Sequence, residues 1–403
     1  MTPSAPPVPP PAPGVPVVPA PVSPSSAGSV LALVRAGAAS RTDLARLAGL
    51  SPTTVAARVE TLVGAGYVRE AGDGPSRGGR RPRRLEVSPE LGLVVGVDLG
   101  VQHATTGLVD TAGTLLARRD VAVAIADGPQ AVLDAVLRDV EALRAEHGAG
   151  RPLLAACVGV PGPVEARTGR VVSPARMPGW NGTDVAALLS PLLGVPVLVE
   201  NDANLMALGE HAGAGSDVEH LVFVKVGSGI GCGVVVAGAL HRGAQGFAGD
   251  ISHVTVPDAP PVPCSCGRTG CLDAVASGAA LVRRLQDDGA SVAGIDDLVA
   301  LARDAHPEAT NLLREAGTRT GTVLATIINF FNPDRLVVGG QLADADAFVA
   351  GVRSAVYARC APMVTDRLDV RSTRVGREAG IRGAARTALD HVLAPGAVDA
   401  ALR

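Results

Sequence analysis

Apolar residues recur at helical spacing from Ser29 to about residue 63 and predict three short helices. The second helix starts at the capping box Ser40-Arg-Thr-Asp43 and ends at Gly49, and the third starts at Ser51-Pro52, an N-cap followed by a first-turn proline. The positions predicted to be buried are Val30, Leu31, Leu33, Val34, Leu44, Leu47, Ala48, Val55, Val59, Leu62 and Val63. Two helices joined by a glycine-containing turn are typical of a helix-turn-helix, although short three-helix bundles also have other roles.

The residues after these helices favour a basic wing. Gly-Tyr-Val at 66–68 predicts a strand, and the segment 77–84 places five arginines in eight residues with no acid between Gly74 and Leu85. Guanidinium groups there can bind phosphates or enter a minor groove, although a solvated basic linker has the same composition. The candidate DNA-binding residues are Ser51, Thr53, Thr54, Arg58, Arg77, Arg80, Arg81, Arg83 and Arg84.

A strand pattern begins at Leu91 and is repeated later in the chain. LGLVVGVDLG, TTGLVD and TLLARRDVAV read as three strands, followed by an amphipathic helix over 130–147. The same opening recurs 127 residues later as LVFVKVGSGIGCGVVVAGALHRG, which places Lys225 at the position of Asp98 and Gly227 at that of Gly100. The duplication predicts two similar lobes with a cleft between them, and fold-level analogy favours an actin-like, ribonuclease H-like α/β architecture of the sugar-kinase type.

Two segments between and after these strands carry polar groups suited to a cleft. Asn201 and Asp202 lie where a strand meets a helix, so the carboxylate can accept a proton from a sugar hydroxyl, or either residue can simply cap the helix. The segment 227–233 is a glycine-rich turn whose free amides can bind phosphate, although glycine-rich hairpins are also common without a ligand.

Three cysteines within eight residues predict a metal site. Cys264, Cys266 and Cys271, with His253 eleven residues upstream, form a Cys₃His set that suits tetrahedral zinc, and Gly267 and Gly270 permit tight turns between the sulfur atoms. The alternative is a loop of buried thiols beside an unrelated histidine. A disulfide is disfavoured because the sequence has no recognisable secretory signal.

Composition limits where a nucleic-acid-binding face can lie. The net charge is −3, so such a face must be local, and Lys225 is the sole lysine beside 35 arginines. Residues 1–28 hold eleven prolines and no charged side chain, which predicts a polyproline II or disordered tail. Prolines interrupt every run that could form a signal peptide, and no segment reaches eighteen apolar residues, so we expect a cytoplasmic protein without a membrane span.

The stretch from His241 to Gly278 carries a family resemblance. Its order RGAxGxAGxxxH, CxCGxxGCL and ASG resembles the signature of the ROK family, which contains bacterial sugar kinases and sugar-responsive repressors. Segment 29–88, with the run GGRRP at 78–82, is similar to the winged N-terminal domain of ROK repressors, which free-standing ROK kinases lack. The implied organisation is a tail over 1–28, a winged helix-turn-helix over 29–88, lobe 1 over 89–215 and lobe 2 over 216–376, with a helix over 377–393 returning to lobe 1.

The resemblance also implies roles for individual residues. Asp202 takes the place of the catalytic base, and the sugar ligands are Asn201, Asp202, Asp250, His253 and Asp273. His253, Cys264, Cys266 and Cys271 would bind structural zinc. The phosphate and nucleotide loops correspond to Asp98, Gly100, Gly227, Ser228, Gly229, Gly231, Gly339 and Gly340. Asp250 and Asp273 stand where the family has glutamate, so each carboxylate lies about one methylene further from a sugar hydroxyl.

The first loop separates the two branches of the family. Active ROK kinases resemble DxGGTK, whereas this chain has Val101 and Gln102, a β-branched side chain and a long amide, where close approach to phosphate is needed. We therefore expect a transcriptional regulator, most simply a repressor, that binds operator DNA as a homodimer or homotetramer and senses a sugar or sugar phosphate. The alternative is an active sugar kinase that uses ATP and Mg²⁺ and carries a DNA-binding head.

Overall fold

The N-terminal region folds as a winged helix-turn-helix. The computed structural model describes residues 23, 25–73, 83–213 and 218–403. The head consists of α1 (Ala27–Arg35), α2 (Arg41–Ala48), α3 (Pro52–Gly64) and an antiparallel hairpin of β1 (Val68–Asp73) and β2 (Arg83–Val87). Ser40 and Ser51 cap α2 and α3 as predicted, and Gly49 ends α2 at a φ of 64°. Helix α1 begins two residues before the predicted boundary at 29, because the Ser26 hydroxyl caps it.

Lobe 1 is built on a five-stranded sheet. Its strands are β3 (Leu93–Leu99), β4 (His103–Asp110), β5 (Leu115–Ala122), β6 (Leu153–Val160) and β7 (Val197–Asn201), and its helices are α4 (Pro129–His147), α5 (Val185–Leu193) and α6 (Asp202–Ala212). The strand order is β5-β4-β3-β6-β7. Strands β3, β6 and β7 run parallel, whereas β4 and β5 are antiparallel to their neighbours. The three predicted strands and the predicted helix over 130–147 are therefore present.

Lobe 2 repeats this topology. Its strands are β8 (Leu221–Val226), β9 (Ile230–Val236), β10 (Ala239–Leu240), β11 (Arg335–Gly339) and β12 (Asp369–Ser372), in the order β10-β9-β8-β11-β12. Its helices are α7 (Leu272–Ala276), α8 (Gly278–Asp287), α9 (Ile295–Arg303), α10 (Pro307–Phe331), α11 (Asp346–Arg359) and α12 (Pro362–Thr365). Strand β8 pairs antiparallel with β9 and parallel with β11, as β3 pairs with β4 and β6, so the duplicated two-lobed fold predicted from the sequence is confirmed.

Two C-terminal helices connect lobe 1 to the head. Helix α13 (Ala379–Val392) packs on β3, β6 and α6, so closely that a Cβ atom at Gly383 would lie 1.8 Å from the Leu205 carbonyl oxygen. Helix α14 (Pro395–Ala401), which the sequence analysis did not predict, packs on α1. The side chains of α1, α13 and α14 share one hydrophobic core, so the head and lobe 1 are packed as one unit.

In the described part of the chain, no helix is long and apolar enough to cross a membrane.

Candidate functional site

A cleft of about 520 Å³ lies between the two lobes. It is lined by most of the residues predicted to bind sugar or phosphate, namely Asp98, Gly100, Asn201, Asp202, Gly227, Ser228, Gly229, Gly231, Asp250, His253, Asp273 and Gly340. Gly339 does not line the cleft. A Cβ atom there would lie 2.2 Å from the Phe223 ring, so Gly339 permits close packing beneath the site.

The predicted catalytic base is paired with a lysine. Asp202, at the first position of α6, accepts a hydrogen bond from the Lys225 ammonium through Oδ2 and one from its neighbour Ala203 N–H through Oδ1. Burial lowers the pKa of Lys225, whereas the negative charges of Asp202 and Asp98 together raise it by more. The pKa of Lys225 therefore lies above the ordinary value, and the amine is protonated. The duplicated sequence placed Lys225 opposite Asp98 but did not predict this ion pair.

Asp98 lines the same cleft. It is almost fully buried, and its Oδ1 atom has no hydrogen-bond partner among the described residues. Burial raises the pKa of Asp98 to about 7, although Lys225 opposes the increase. The cleft therefore holds one ammonium and two carboxyl groups, one of which is bonded to the ammonium.

Asn201 caps helix α6. Its side-chain oxygen accepts from the backbone N–H groups of Ala203 and Asn204 at 3.0 and 3.2 Å, and its amide nitrogen donates to the Gly162 carbonyl at 3.1 Å. The capping alternative raised by the sequence thus applies to Asn201, whereas Asp202 Oδ2 is directed at Lys225. Each polar group of the Asn201 side chain already has a partner within the protein. Sugar binding by Asn201 therefore stays a prediction.

Two further ion pairs join the lobes across the cleft. Arg176, from lobe 1, donates to Asp273 Oδ2 at 2.5 Å, and Asp273 Oδ1 accepts from the Ile230 N–H at 3.1 Å. Arg242, from lobe 2, donates to buried Glu200 at 2.6 Å. The family signature RGAxGxAGxxxH contains Arg242, but no motif or spacing predicts that Arg242 pairs with Glu200 or that Arg176 pairs with Asp273. One predicted sugar ligand, Asp273, is consequently already paired, whereas Asp250 is exposed and accepts only from Ser252 in the described structure.

Both loops predicted to bind phosphate are partly filled by side chains. The His103 ring lies against Gly100, where a Cβ atom would be 2.2 Å from its Cε1. Burial, followed by the charge of Lys225, lowers the pKa of His103, so the ring is neutral near pH 7. In the second loop, a Cβ atom added at Gly229 would lie 2.9 Å from Arg176 Nε, so the arginine fills the space beside this glycine. The Ile230 N–H of the same loop already donates a hydrogen bond to Asp273. The described side chains thus occupy space and donors that a phosphate group would use.

The predicted metal ligands converge beside the cleft. The ligand atoms of His253, Cys264, Cys266 and Cys271 all lie within 4.8 Å of one another. Cys264 Sγ is 3.4 Å from His253 Nδ1, and Cys266 Sγ is 3.6 Å from Cys271 Sγ. Tetrahedral zinc with ordinary bond lengths needs ligand separations of about 3.6 to 3.8 Å, so the residues fit the ion.

Backbone and thiol chemistry support the same set. Gly267 and Gly270 have φ values of 85° and 69°, which favour glycine and let the loop reverse between the sulfur atoms. Hydrogen bonds from the backbone and side chain of Arg268 lower the pKa of Cys266 to about 6, which favours the thiolate that a metal needs. Burial raises the pKa of Cys271 to about 12, so this thiol would lose its proton only when a metal ion binds.

On the head, the described candidates for DNA contact differ in availability. Thr53 is exposed, whereas Ser51 and Thr54 form the N-terminal cap of α3 with their hydroxyl groups 2.8 Å apart. Arg58 Nε donates to the Ser25 carbonyl at 2.9 Å. On strand β2, Arg83 pairs with Glu70 at 2.5 Å and Arg84 with Glu86 at 3.2 Å. The remaining predicted contacts, Arg77, Arg80 and Arg81, lie outside the described residues.

Comparisons with known proteins agree with both parts of the chain. Residues 94–391 match the ROK family, and residues 31–69 match a winged helix-turn-helix DNA-binding family. The xylose repressor of Bacillus spizizenii is 29% identical over 361 residues, which cover 88% of this chain and 92% of that protein.

Solved structures share the fold of this chain. A ROK family transcriptional regulator, a homologue of the E. coli Mlc protein, superposes with a TM-score of 0.76 at 24% identity over 93% of this chain and 98% of its own. A ROK family glucokinase from Streptomyces griseus, in complex with glucose and AMPPNP, has a TM-score of 0.64 at 28% identity over 73% of this chain and 99% of its own. Because the match to the ROK family covers most of the chain and a winged helix-turn-helix precedes it, this protein belongs to the ROK family, in the branch of transcriptional regulators with an N-terminal DNA-binding domain.

Proposed function

We propose that this protein is a repressor whose head binds operator DNA and whose interlobe cleft binds a sugar that controls this binding. The observation that carries the proposal is the path of α13. Near its start, a Cβ atom at Gly380 would lie 2.2 Å from the Asp98 carboxylate, so this end of the helix rests on the cleft. Near its other end, Asp390 pairs with Arg35 of α1 at 2.7 Å. The helix therefore contacts the ligand cleft and the head directly.

This arrangement supports control by population shift. A sugar that binds one closure state of the two lobes more tightly would move lobe 2 relative to the unit formed by lobe 1, α13 and the head. Helix α14 strengthens the connection, because Asp399 accepts a hydrogen bond from the Gly28 N–H at 2.8 Å. The effect on operator affinity can be no larger than the difference between the sugar's affinities for the two states.

The kinase alternative is less consistent with the geometry. Phosphoryl transfer depends on positioning and charge stabilisation, and it needs a base that can accept the hydroxyl proton. In this chain Asp202 already accepts from Lys225, and His103 lies against the glycine of the first loop. ATP and Mg²⁺ would supply the phosphoryl group and charge neutralisation in an active enzyme, and the described residues do not leave the first loop open for them.

Two further features belong to the proposal. Zinc held by His253, Cys264, Cys266 and Cys271 would be structural, because all four positions of a tetrahedral shell are filled by protein. It would fix the segment that also carries Asp250, and so the wall of the sugar site. A homodimer or homotetramer would match two heads to a pseudo-palindromic operator.

The proposal is tested on an operator selected by the full chain from random DNA. Deleting residues 1–88 should abolish binding. Replacing Arg80 and Arg81 by alanine should reduce the salt dependence of binding by about two units of slope if each contacts a phosphate. Replacing the exposed lobe 2 residues Arg283 and Arg314 removes the same charge and should leave the slope unchanged. Thermal-shift and operator-release screens of free sugars and sugar phosphates then identify the ligand.

Two results would contradict the proposal. Operator binding by the chain without residues 1–88 would show that the head is not the DNA-binding part. Failure of every sugar that stabilises the protein to change operator affinity would show that the cleft does not control the head.

A further inference from the structure

Lys225 is the only lysine in a chain with 35 arginines. At every other position that carries a long basic side chain, this sequence has arginine. Two of these arginines, Arg176 and Arg242, form the other ion pairs across the cleft. Lys225 lies in the middle of the lobe 2 sheet, opposite Gly231 of β9 and Gly339 of β11. At this one position, therefore, the sequence has a compact ammonium group instead of a planar, forked guanidinium group.

The surroundings of Lys225 contain two acids. Its ammonium donates to Asp202 Oδ2, and the Asp202 side chain is only 5% exposed. Asp98 is 3% exposed and lines the same cleft, close enough for its charge to raise the pKa of Lys225, and its Oδ1 lacks a partner in the described structure. Without a cation between them, these two buried carboxyl groups would either share a proton or bind another cation.

The cation that such a pair would take follows from its chemistry. Carboxylate oxygens in a cleft that admits water are the ligands Mg²⁺ prefers, and the ion retains several of its waters when bound by one or two carboxylates. The Lys225 ammonium carries one positive charge into this place and brings no open coordination position. It can thus balance the charge of one of the two acids without attracting a phosphate through a shared metal ion.

We propose that Lys225 is a positioning residue that takes the place of a divalent cation between Asp98 and Asp202, so that the cleft binds an uncharged sugar without metal or nucleotide. This inference rests on the proposed sugar-binding function of the same cleft. It adds the class of ligand, since the unpaired acceptor Asp98 Oδ1 can bind a sugar hydroxyl, whereas two carboxyl groups with one ammonium offer no excess positive charge to a phosphate.

The test uses the full chain, purified without chelators, and Mg²⁺ alone as the probe. The melting temperature of the wild type should not change with millimolar Mg²⁺. Lys225→Met should melt lower in the absence of Mg²⁺, and its melting temperature should rise by about 3 °C when Mg²⁺ reaches ten times its dissociation constant. Lys225→Met/Asp202→Asn removes both charges, so it should recover stability and lose the response to Mg²⁺.

Arg176→Met is the matched control, because it breaks the Arg176–Asp273 pair across the same cleft and leaves Lys225 in place. It should show no response to Mg²⁺. If Lys225→Met does not fold without metal, its recovery in Mg²⁺, compared with the double variant, provides the same readout. Lys225→Arg should not restore wild-type stability, because the larger guanidinium does not fit between the acids.

Three outcomes would overturn the inference: a Mg²⁺-dependent shift in the wild type, the absence of any shift in folded Lys225→Met, or tighter binding of sugar phosphates than of the corresponding free sugars. Operator binding is measured on the same samples. Wild-type protein that binds operator and releases it with a sugar, yet gives one of these outcomes, would leave the regulatory function standing and remove only the role of Lys225.

Discussion

The two lobes share a strand order but place opposite charges at equivalent positions. Asp98 near the end of β3 and Lys225 near the end of β8 are separated by 127 residues, the period of the duplicated segment. Both side chains line the cleft, where each influences the pKa of the other and Lys225 pairs with Asp202. The duplicated segment thus gives two equivalent strands, β3 and β8. The chemistry of the site depends on which side chain each strand carries at the equivalent position, Asp98 on one and Lys225 on the other.

The lobes also differ in what holds them together. The sheet of lobe 1 is covered by α13 and shares a core with the head, whereas lobe 2 has its own core and the cluster of cysteines with His253. Lobe 1 is therefore the part joined mechanically to DNA binding, and lobe 2 is the part whose fold would depend on a metal ion.

The largest effect is expected from removing a metal ligand, because only lobe 2 should depend on the metal ion for its stability. Cys266→Ser should lower zinc from about one ion per chain to none and reduce the free energy of unfolding by about 4 kcal/mol or more, because metal loss is among the most destabilising changes. The only tryptophan, Trp180, is fully buried in lobe 1 and reports on that lobe. Circular dichroism should therefore detect an early transition that Trp180 fluorescence does not.

Cys360→Ser is the control for this experiment, because Cys360 is a buried lobe 2 cysteine outside the metal cluster. It should retain zinc. Unchanged metal content in Cys266→Ser, or coincident melting of both signals, would contradict the assignment of the metal to lobe 2 stability.

A second, smaller effect concerns the acid of lobe 1. The pKa of Asp98 is about 7 in the folded chain, above its ordinary value of 3.8, so the folded state binds more protons between these pH values. The free energy of unfolding should therefore fall as pH rises from 3.8 to about 7 and level off above it, by about 4 kcal/mol in total. Asp98→Asn should lack this decrease.

The measurement is the difference between the wild-type and Asp98→Asn unfolding curves across that pH range, which cancels the titration of other groups. Asp120→Asn, which removes a more exposed lobe 1 acid, serves as the comparison. A decrease that persists unchanged in Asp98→Asn would mean that another group titrates in this window.

The smallest expected effect is the absence of turnover. The wild type should release no ADP above background with hexoses, N-acetylhexosamines or pentoses, and Val101→Gly/Gln102→Thr should not create activity, because Lys225 still pairs with Asp202. A coupled ADP-release assay provides the measurement. Turnover near the ~1 to 100 s⁻¹ of protein kinases, abolished by Asp202→Asn, would favour the kinase alternative instead.

Local patterns predicted much of the fold and the metal cluster. The caps at Ser40 and Ser51, the duplicated strands and the Cys₃His spacing each depend on residues close in sequence or on a repeated segment, and such signals can be read directly. The resemblance to the ROK family supplied the roles of the cleft residues. The structure brings most of these residues to one cleft, although it engages Asn201 as a cap and Asp273 in an ion pair.

The contacts that decide the chemistry of the cleft could not be predicted in this way. The ion pairs Lys225–Asp202, Arg242–Glu200 and Arg176–Asp273 join residues 23, 42 and 97 positions apart, and nothing in the local sequence identifies the partner. The contact of α14 with the head spans 371 residues, from Gly28 to Asp399. Each depends on how the lobes close, which is a property of the whole fold.

The contact between α14 and α1 also determines when the head can be completed during protein synthesis. Helix α1 is synthesised before the two lobes, whereas α14, which covers one of its faces, is synthesised after both of them. A nascent or truncated chain without residues 395–401 therefore has a head whose first helix lacks part of its packing. The head therefore reaches its full packing only after both lobes have been synthesised.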